Sequence, residues 1–293
     1  CHTYYSFKYG TMSPKELLEN VSTALEGSTH RPTIALTDIN STSGCLYHAM
    51  QSQNAGLPVI MGVDFRTGNR QDFIAIAQNN EGFQNINYYL TGFLLQGKFP
   101  QDPVIKNAFI IYPLKNVPDR PLRSNEYIGV NHTELFRERT RLRGMFLQGS
   151  SDNDTSKYVA LNTVTFRNKR DFNAHRLLRA IDKNALLSKL PREEQGDPHH
   201  TFYSEEEIST LYNGYAFLLE NAEKLLSSCR LHFDFNDKTK LANKKTFTQT
   251  KKRDYELLQQ LVKEGLKYRY ANGTNKEIQD RVAKELGVIQ ECN

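Results

Sequence analysis

Residues 1–40 read CHTYYSFKYGTMSPKELLENVSTALEGSTHRPTIALTDIN, and this stretch decides the fold. A short extended piece carrying His2 comes first. The Ser-Pro-Lys-Glu of residues 13–16 then predicts a helix start, because serine can cap the glutamate amide and proline suits the first helical position. An apolar strand over residues 32–36 follows and leads to Asp38. The pattern predicts a β-α-β unit with polar groups at its strand ends, where α/β proteins place functional residues.

The composition indicates a folded, soluble protein. With 293 residues, 38% hydrophobic and 11% aromatic, the chain is long enough for one large domain or two smaller ones. A formal charge of +5 suits a protein that works near nucleic acid but does not identify one. No apolar run approaches the roughly 20 residues of a membrane span, and no signal segment opens the chain. We therefore expect a cytoplasmic protein with no membrane contact.

The cysteines give no sign of a metal or disulfide framework. They are far apart and lack the C-x-x-C spacing typical of zinc sites. Reduced thiols are expected for all four, which are Cys1, Cys45, Cys229 and Cys292.

Strands and helices are predicted to alternate as far as residue 235, which favours a barrel-like α/β domain. Strands separated by helices indicate parallel pairing through right-handed crossovers. The predicted strands are 32–36, 58–65, 72–77, 108–112, 126–130 and 158–166. The predicted helices after the first are 43–55, 81–95, 132–142, 169–182, 184–190, a helix after the capping box at Ser204, and 214–229.

The composition changes after about residue 235. Residues 237–253 carry seven basic side chains against a single aspartate and predict a polar, basic connector. Two amphipathic helices are predicted beyond it, one over 254–270 and one after the capping box that begins at Thr274. They have little else in the chain to pack against, so they are expected to be the first helices of a further domain.

Several collinear motifs resemble the N-terminal part of the bacterial replicative DNA polymerase III alpha subunit family, a polymerase-and-histidinol-phosphatase (PHP) domain. The motifs are His2–Ser6, Ala35–Asp38, Met61–Phe65, Ala77–Asn85, Ala174–Ile181, Glu264–Tyr270 and Glu285–Ile289. The resemblance implies a distorted (β/α)7 PHP barrel over residues 1–235, a basic linker over 236–253 and the first helices of a truncated polymerase palm over 254–293. It also implies that the Mg²⁺-binding carboxylates of the full DNA polymerase lie beyond Asn293. This fragment is thus expected to have no activity of its own.

The resemblance further implies a degenerate metal site. A complete PHP site binds up to three metals through histidines and carboxylates at the strand ends. The matching positions keep His2, Asp38, Asp64 and Asp72, whereas neutral residues stand at Tyr9, Ile39, Thr163 and Thr165. Neutral side chains cannot replace anionic or imidazole ligands, so no catalytic residue is predicted. The four retained residues are the candidates for holding a residual divalent cation.

Other polar residues receive simpler interpretations. His175 is expected to be a buried structural hydrogen-bonding residue, and the His199-His200 pair is expected to be exposed to solvent. The basic connector supplies candidate contacts to nucleic-acid phosphates, namely Lys244, Lys245, Lys251, Lys252 and Arg253. A solvated linker explains these charges equally well, because aromatic residues do not interleave with them.

Three hypotheses follow. The first is a non-catalytic PHP domain that supports the remainder of a replicative polymerase chain and docks a proofreading exonuclease subunit or other replisome proteins, with DNA as the partner of the full-length protein. The alternative is a metal-dependent phosphoesterase, either a 3′–5′ exonuclease or a pyrophosphatase, that uses the residual ligands. The third is a DNA-binding module that acts through the basic connector.

Overall fold

The structure is a computed structural model that describes residues 1–24, 33–96, 102–137, 155–235, 246–271 and 273–291. It divides the chain into two compact units, Cys1–Phe233 and Asp234–Asn293. The described part of the first unit is mixed α/β, and that of the second is helical. No helix in the described part of the chain is both long and apolar enough to cross a membrane.

The described residues of the first unit form one six-stranded sheet with helices between and after its strands. The strands are β1 (Leu36–Ile39), β2 (Met61–Thr67), β3 (Arg70–Ala77), β4 (Ala108–Pro113), β5 (Glu126–Val130) and β6 (Tyr158–Ala160). The helices are α1 (Pro14–Ala24), α2 (Cys45–Asn54), α3 (Asn80–Gln96), α4 (His132–Arg137), α5 (Lys169–Asp182), α6 (Glu205–Leu211) and α7 (Ala216–Ser227).

The predicted helix starts are confirmed at two capping boxes. The Ser13 hydroxyl accepts from the Glu16 amide at 3.1 Å, and the Glu16 carboxylate accepts from the Ser13 amide at 2.8 Å. The same reciprocal pair joins Ser204 and Glu207 at the start of α6. These caps satisfy amide groups that have no partner within their own helix.

The strands lie in the sheet in their order along the chain, but they are not all parallel. β1–β2, β4–β5 and β5–β6 are parallel, as predicted, whereas β2–β3 and β3–β4 are antiparallel. The expectation of parallel pairing is therefore wrong for the centre of the sheet. The cause is a hairpin turn at Gly68-Asn69, where Gly68 has φ +63° at the first turn position, a conformation that two-residue hairpins favour.

Two further predictions are corrected. The strand predicted over 158–166 ends at Ala160, because the backbone beyond it bonds to other segments: the amides of Thr165 and Phe166 both donate to the His200 carbonyl. The helix predicted over 184–190 is reduced to a 3₁₀ turn at Leu187–Lys189. Residues 138–142 of the predicted polar helix lie outside the described residues.

The first residues of the chain bond to both ends of the sheet. The Cys1 nitrogen donates to the Ala35 carbonyl at 2.8 Å, and the Thr37 amide donates to the Cys1 carbonyl at 2.9 Å. The His2 amide donates to the Val164 carbonyl at 2.8 Å, just beyond β6. Residues 1 and 2 therefore lie between β1 and the segment that follows β6, and this position brings His2 to the carboxyl ends of the strands.

The core of the first unit lies between the sheet and the inner faces of its helices. Fully buried apolar side chains come from α1, from α3 and from all six strands of the sheet. They include Leu17, Leu36, Met61, Phe65, Ala75, Ile86 and Ile110.

The second unit contains the helices α8 (Lys251–Arg269) and α9 (Lys276–Glu291), and neither has a buried residue. α8 begins three residues earlier than predicted, because the Thr250 hydroxyl accepts from the Arg253 amide and caps the helix. Lys251, Lys252 and Arg253 are thus exposed residues of a first helical turn rather than of a connector. Lys244 and Lys245 lie outside the described residues.

Candidate functional site at the strand ends

Asn40 fixes the ends of β1 and β2 to each other. Its side-chain amide donates to the Arg66 carbonyl at 2.8 Å, and its side-chain oxygen accepts from the Arg66 amide at 2.9 Å. Its own backbone amide donates to the Asp64 carbonyl. Asn40 has φ 48°, a left-handed conformation that asparagine tolerates better than most residues. This clamp positions Asp38, Asp64 and Arg66 at one edge of the sheet.

Asp38 is fully buried and its hydrogen bonds are made to the opening loop. One carboxylate oxygen accepts from the Thr3 amide at 2.6 Å and from the Ser6 hydroxyl at 2.7 Å. The other accepts from the Thr3 hydroxyl at 2.8 Å. Burial raises the pKa of Asp38, and these hydrogen bonds oppose that rise. The carboxylate thus stabilises the loop that carries His2.

The imidazole of His2 bridges the side chains of Asp64 and Thr165, although Thr165 lies 163 residues after His2 in the sequence. Its Nε2 lies 3.0 Å from Oδ2 of Asp64, and its Nδ1 lies 2.9 Å from Oγ1 of Thr165. Burial lowers the pKa of His2 to about 4, although the bond to Asp64 opposes that shift. A neutral imidazole follows, in which Nε2–H donates to Asp64 and Nδ1 accepts from the Thr165 hydroxyl. The contact of His2 with Asp64 is therefore a hydrogen bond and not an ion pair at neutral pH.

The cation that faces Asp64 is an arginine of the same strand. Arg66 donates to Oδ2 of Asp64 through Nε at 3.0 Å and through Nη2 at 2.7 Å. Its guanidinium carbon lies 5.0 Å from the centre of the Tyr9 ring, so an aromatic ring contacts the cation at a position where the sequence resemblance implies an aspartate. Both Asp64 and Arg66 are buried.

Asp64 and Arg66 each stabilise the charged form of the other. Burial alone would raise the pKa of Asp64, but the Arg66 guanidinium and the hydrogen bond from His2 outweigh it and hold that pKa below its ordinary value. Burial would lower the pKa of Arg66, and Asp64 raises it instead. A buried ionised carboxylate requires such a partner, because an unpaired buried charge is very costly.

A β-bulge decides which residue of β3 reaches this network. Phe65 pairs with Phe73, but Arg66 pairs with Gln71, so Asp72 is left without a partner in the ladder. Gln71 donates to Oδ2 of Asp64 at 2.9 Å. Asp72 instead accepts from the Thr67 hydroxyl and from Nε of Arg70. The structure thus brings His2 and Asp64 into contact and directs the bonds of Asp72 to the hairpin.

His200 lies near the same buried charges, contrary to the expectation of a solvent-exposed pair. Its Nδ1 is buried and has no hydrogen-bond partner among the described residues. Burial lowers its pKa to about 3, and the carboxylates of Asp197 and Asp64 oppose that shift. His199, by contrast, is exposed, as predicted. Adjacent residues of one loop therefore have opposite environments.

His175 is the structural residue that its sequence context predicts. Its Nε2 accepts from the Gly196 amide at 2.8 Å, so its Nδ1 carries the proton and donates to the Tyr9 carbonyl at 2.8 Å. It is fully buried, and burial lowers its pKa to about 4. The two hydrogen bonds of the ring thus join the loop that contains Tyr9 to the loop of residues 196–200.

The alignment of Asp64, His2 and Thr165 has the connectivity of a hydrolase triad, but it is not an active site. A nucleophilic hydroxyl must reach a substrate. Thr165 is fully buried, and its hydroxyl is bonded to His2. The three residues instead form a buried hydrogen-bonded chain that joins β2 to the segment after β6.

The residues at the strand ends do not fit a metal ion. Among the described residues, no group of three or more histidine, cysteine, aspartate or glutamate side chains could hold one. The guanidinium of Arg66 already neutralises Asp64, and three donors surround Asp38. A divalent ion at Oδ2 of Asp64 would have to displace the guanidinium. The assignment of His2, Asp38, Asp64 and Asp72 as metal ligands stays a prediction that this geometry does not favour.

A cavity of about 580 Å³ opens above this network. Arg66 and Tyr9 lie at its wall together with Arg179. Arg179 is itself bonded to Asp182 at 3.0 Å and to Glu194 at 2.7 Å, so its charge is compensated. Both arginines at the wall of this cavity are therefore paired with carboxylates.

Sequence reasoning missed the roles of Arg66 and Gln71, considered Thr165 only as a neutral residue at a ligand position, and expected His200 to be exposed. Arg66 had a signal, since residues two apart on a strand share one face and Asp64 was already a candidate. Gln71 had none, because the bulge that selects it is a tertiary feature. Thr165 and His200 reach the site through loop contacts that no local pattern encodes.

Comparison with known proteins gives one consistent result. No family model matches the chain. The DNA polymerase III alpha subunit of Halalkalibacterium halodurans is 21% identical over 286 residues, covering 88% of this chain and 25% of that protein. The same subunit of Borreliella burgdorferi is 24% identical and covers 87% of the chain, and that of Escherichia coli K12 is 24% identical and covers 68%. The chain spans about a quarter or less of the length of these relatives.

Among solved structures, a protein assigned as a metal-dependent phosphoesterase from Bifidobacterium adolescentis is similar at 12% identity. The match covers 72% of this chain and 93% of that one, with a TM-score of 0.28, which is too low to support an argument. The sequence comparisons confirm the resemblance first noted on the motifs. Over 68–88% of its length, the chain is similar to part of the DNA polymerase III alpha subunits of bacteria.

Proposed function

We propose that the chain is the N-terminal region of a bacterial replicative DNA polymerase III alpha subunit, and that its first unit is a non-catalytic PHP domain. In this proposal residues 1–235 form the distorted (β/α)7 barrel, residues 236–250 belong to the basic linker, and α8 and α9, which begin at Lys251, are the first helices of the polymerase palm. The similarity to alpha subunits supports the assignment, and so does the six-stranded sheet whose two ends both bond to residues 1 and 2.

The proposal of a non-catalytic role rests on the ion pair between Arg66 and Asp64. In a metal-dependent phosphoesterase, metal ions neutralise the carboxylates and activate water. Here a guanidinium neutralises Asp64, and amide and hydroxyl donors satisfy Asp38. A guanidinium has no open coordination position and cannot activate water. The site therefore stabilises the fold without chemistry of its own.

A stable domain that catalyses no reaction would act as a scaffold for other parts of the assembly. In the whole protein it would brace the polymerase body and dock the proofreading exonuclease subunit or other replisome proteins. The full-length cytoplasmic polymerase would use DNA and Mg²⁺ through residues outside this chain. The exposed side chains Lys251, Lys252 and Arg253 remain proposed contacts to DNA phosphates in that assembly.

The test is metal analysis of the purified chain together with nuclease and pyrophosphatase assays in Mn²⁺ and in Zn²⁺. We expect less than stoichiometric metal, and no hydrolysis above the level of a His2→Ala variant prepared in the same way. Stoichiometric metal together with exonuclease activity that His2→Ala abolishes would establish the phosphoesterase alternative instead. An Arg66→Met variant tests whether the guanidinium keeps metal out of the site, because it removes the cation that would compete with a metal ion for Oδ2 of Asp64.

A further inference from the structure

A second cavity, of about 880 Å³, lies beside the segments that follow β4 and β5. Lys115 lies in the 3₁₀ turn directly after β4, and Arg137 is the last residue of α4. The rest of the wall comes from Phe172 of α5 and from the segment of residues 192–199. This cavity shares no lining residue with the cavity above Arg66. Its volume is within the roughly 300–1,000 Å³ typical of small-molecule sites.

Three cationic side chains at this wall have no carboxylate partner. They are Lys115, Arg137 and Arg192, all exposed, and among the described residues none of the three makes a side-chain hydrogen bond or an ion pair. Arg66 and Arg179, at the wall of the first cavity, are both paired. Because the three free cations come from separate segments and line one cavity, their charges act on one small volume. Such a cluster suits a ligand whose negative charges lie close together, as in a chain of phosphates.

An aromatic side chain lies at the same wall. The ring of Phe172 packs edge-on against Phe166, with 5.3 Å between ring centres, and lies at 23° to the imidazole of His175, at 6.2 Å. These contacts hold the ring in place but leave Phe172 only half-buried. An aromatic ring of this kind offers a stacking surface to any nucleic-acid base, since every base has a π-face. Closely spaced phosphates and a base occur together in a nucleotide.

Two carboxylates, Glu193 and Asp197, also line the cavity. Asp197 accepts from the His199 amide at 2.9 Å, and Glu193 is exposed. They would repel a bare phosphate chain. Mg²⁺ removes that repulsion, because it binds one or two carboxylates together with the phosphate oxygens of a substrate and needs no complete protein cage. Among the described residues no group of three or more potential ligands could hold a metal, so the ion must arrive with the phosphates.

We propose that this cavity binds a nucleoside polyphosphate as its Mg²⁺ complex, with the phosphates at Lys115, Arg137 and Arg192 and the base against Phe172. The site is separate from the buried network around Asp64 and uses none of its residues. A ligand held there joins segments that are far apart in the sequence, so its binding stabilises the folded first unit. The proposal does not depend on the assignment of that unit as a PHP domain.

Calorimetric titration of the purified chain with dATP tests the site, once in Mg²⁺ and once in excess EDTA. We expect saturable binding at one site per chain in Mg²⁺ and a loss of affinity of at least about tenfold in EDTA. A triple variant, Lys115→Gln with Arg137→Gln and Arg192→Gln, should also bind at least about tenfold more weakly. Absence of saturable dATP binding, or affinity that EDTA leaves unchanged, would overturn the proposal.

The matched control is a second triple variant, in which three exposed cations that do not line the cavity are changed to glutamine. They are Lys169, Arg170 and Lys189. This variant loses the same total charge and should retain the affinity of the parent chain. Equal weakening by the two triple variants would show nonspecific attraction by the net charge and would rule out the site.

The contact with the base is tested at Phe172 with two ligands, dATP and inorganic triphosphate. Phe172→Leu should weaken binding of dATP and leave that of triphosphate unchanged, whereas Phe172→Tyr, which keeps the ring, should bind both as the parent does. Equal loss of both ligands in Phe172→Leu would show that the ring does not contact the base. Saturable binding of an oligothymidylate of about 15 nucleotides without binding of dATP would identify a single-stranded DNA site instead.

Discussion

Arg66 donates two hydrogen bonds, from Nε and Nη2, to the same carboxylate oxygen of Asp64, at 3.0 and 2.7 Å. That oxygen also accepts from His2 and from Gln71. The other oxygen, Oδ1, has no hydrogen-bond partner among the described residues. All the donors to this carboxylate thus converge on one side of it, and one of them carries the charge that a metal would otherwise supply.

Replacement of Arg66 by methionine should destabilise the protein strongly. It leaves the Asp64 carboxylate buried without its cation, which typically costs about 3–5 kcal/mol. Urea unfolding at pH 7 measures the loss. Arg70→Met is the matched control, because Arg70 is 68% exposed in its pair with Asp72 and should contribute little.

The double variant Arg66→Met, Asp64→Asn should recover part of that stability. Removing both charges leaves a neutral amide in place of an unpaired carboxylate, so the cost of the buried charge disappears. If the double variant is less stable than Arg66→Met alone, the guanidinium is not there to neutralise Asp64.

Stability should fall between pH 6.5 and pH 4. Burial lowers the pKa of His2, His48 and His175 to about 4, so the unfolded chain binds more protons than the folded one throughout that range. Each histidine contributes at most about 1.4 kcal/mol per pH unit. Asp64 has a lowered pKa, so its contribution is lost only under more acidic conditions, as pH falls through its folded value.

Urea unfolding at four pH values from 7 to 4 checks this dependence. A His48→Gln variant should show a shallower slope than the parent chain, because it removes one buried histidine. Replacement of the exposed His232 by glutamine should leave the slope as it is. A flat profile down to pH 4 would contradict the neutral, buried state of these rings.

Ser6→Ala should cost about 1–3 kcal/mol, the usual penalty for leaving buried polar groups unpaired. The Ser6 hydroxyl donates to Asp38 and accepts from the Ile39 amide at 3.0 Å, so its removal leaves two partners unsatisfied. Thermal unfolding measures the change. Ser209→Ala, at an exposed position of α6, should have a much smaller effect.

The bulge in β3 predicts that two neighbouring substitutions differ in their effect on stability. Gln71→Glu places a second carboxylate beside Oδ2 of Asp64 and should lower stability at pH 7, with partial recovery as the pH falls and the new group is protonated. Asp72→Asn affects only contacts with Thr67 and Arg70 and should change little. The reverse order of effects would show that Asp72, not Gln71, faces Asp64.

Substitution of Lys251, Lys252 and Arg253 by glutamine should weaken binding of the chain to primed DNA, if these residues contact phosphates. The logarithmic salt dependence of the affinity should decrease by about one unit for each contact that is lost. Lys263→Gln with Lys267→Gln, farther along α8, is the control. Equal effects of the two sets would indicate nonspecific attraction by the net charge of the chain.

Local signals in the sequence were sufficient for most elements of the fold. The capping boxes at Ser13 and Ser204 predicted helix starts correctly, because these interactions join residues three apart. Gly68-Asn69 also carries a hairpin turn signal, whereas the alternation of predicted strands and helices favours parallel pairing. Because this hairpin reverses the direction of β3, two of the five pairings are antiparallel.

The amino-acid sequence was enough to establish the order of the strands and helices, the family resemblance, and the neutral residues Tyr9, Ile39, Thr163 and Thr165 at positions where that resemblance implies ligands. Which groups surround Asp64 became known from the tertiary structure. The bulge turned Gln71 and not Asp72 toward Asp64, and chain closure brought His2 between Asp64 and Thr165. Residue identity shows which ligands are missing. The charge balance of a buried site depends on which groups the tertiary packing brings within hydrogen-bond distance of one another. Here that packing buries Arg66 and Asp64 together, so the guanidinium neutralises the carboxylate.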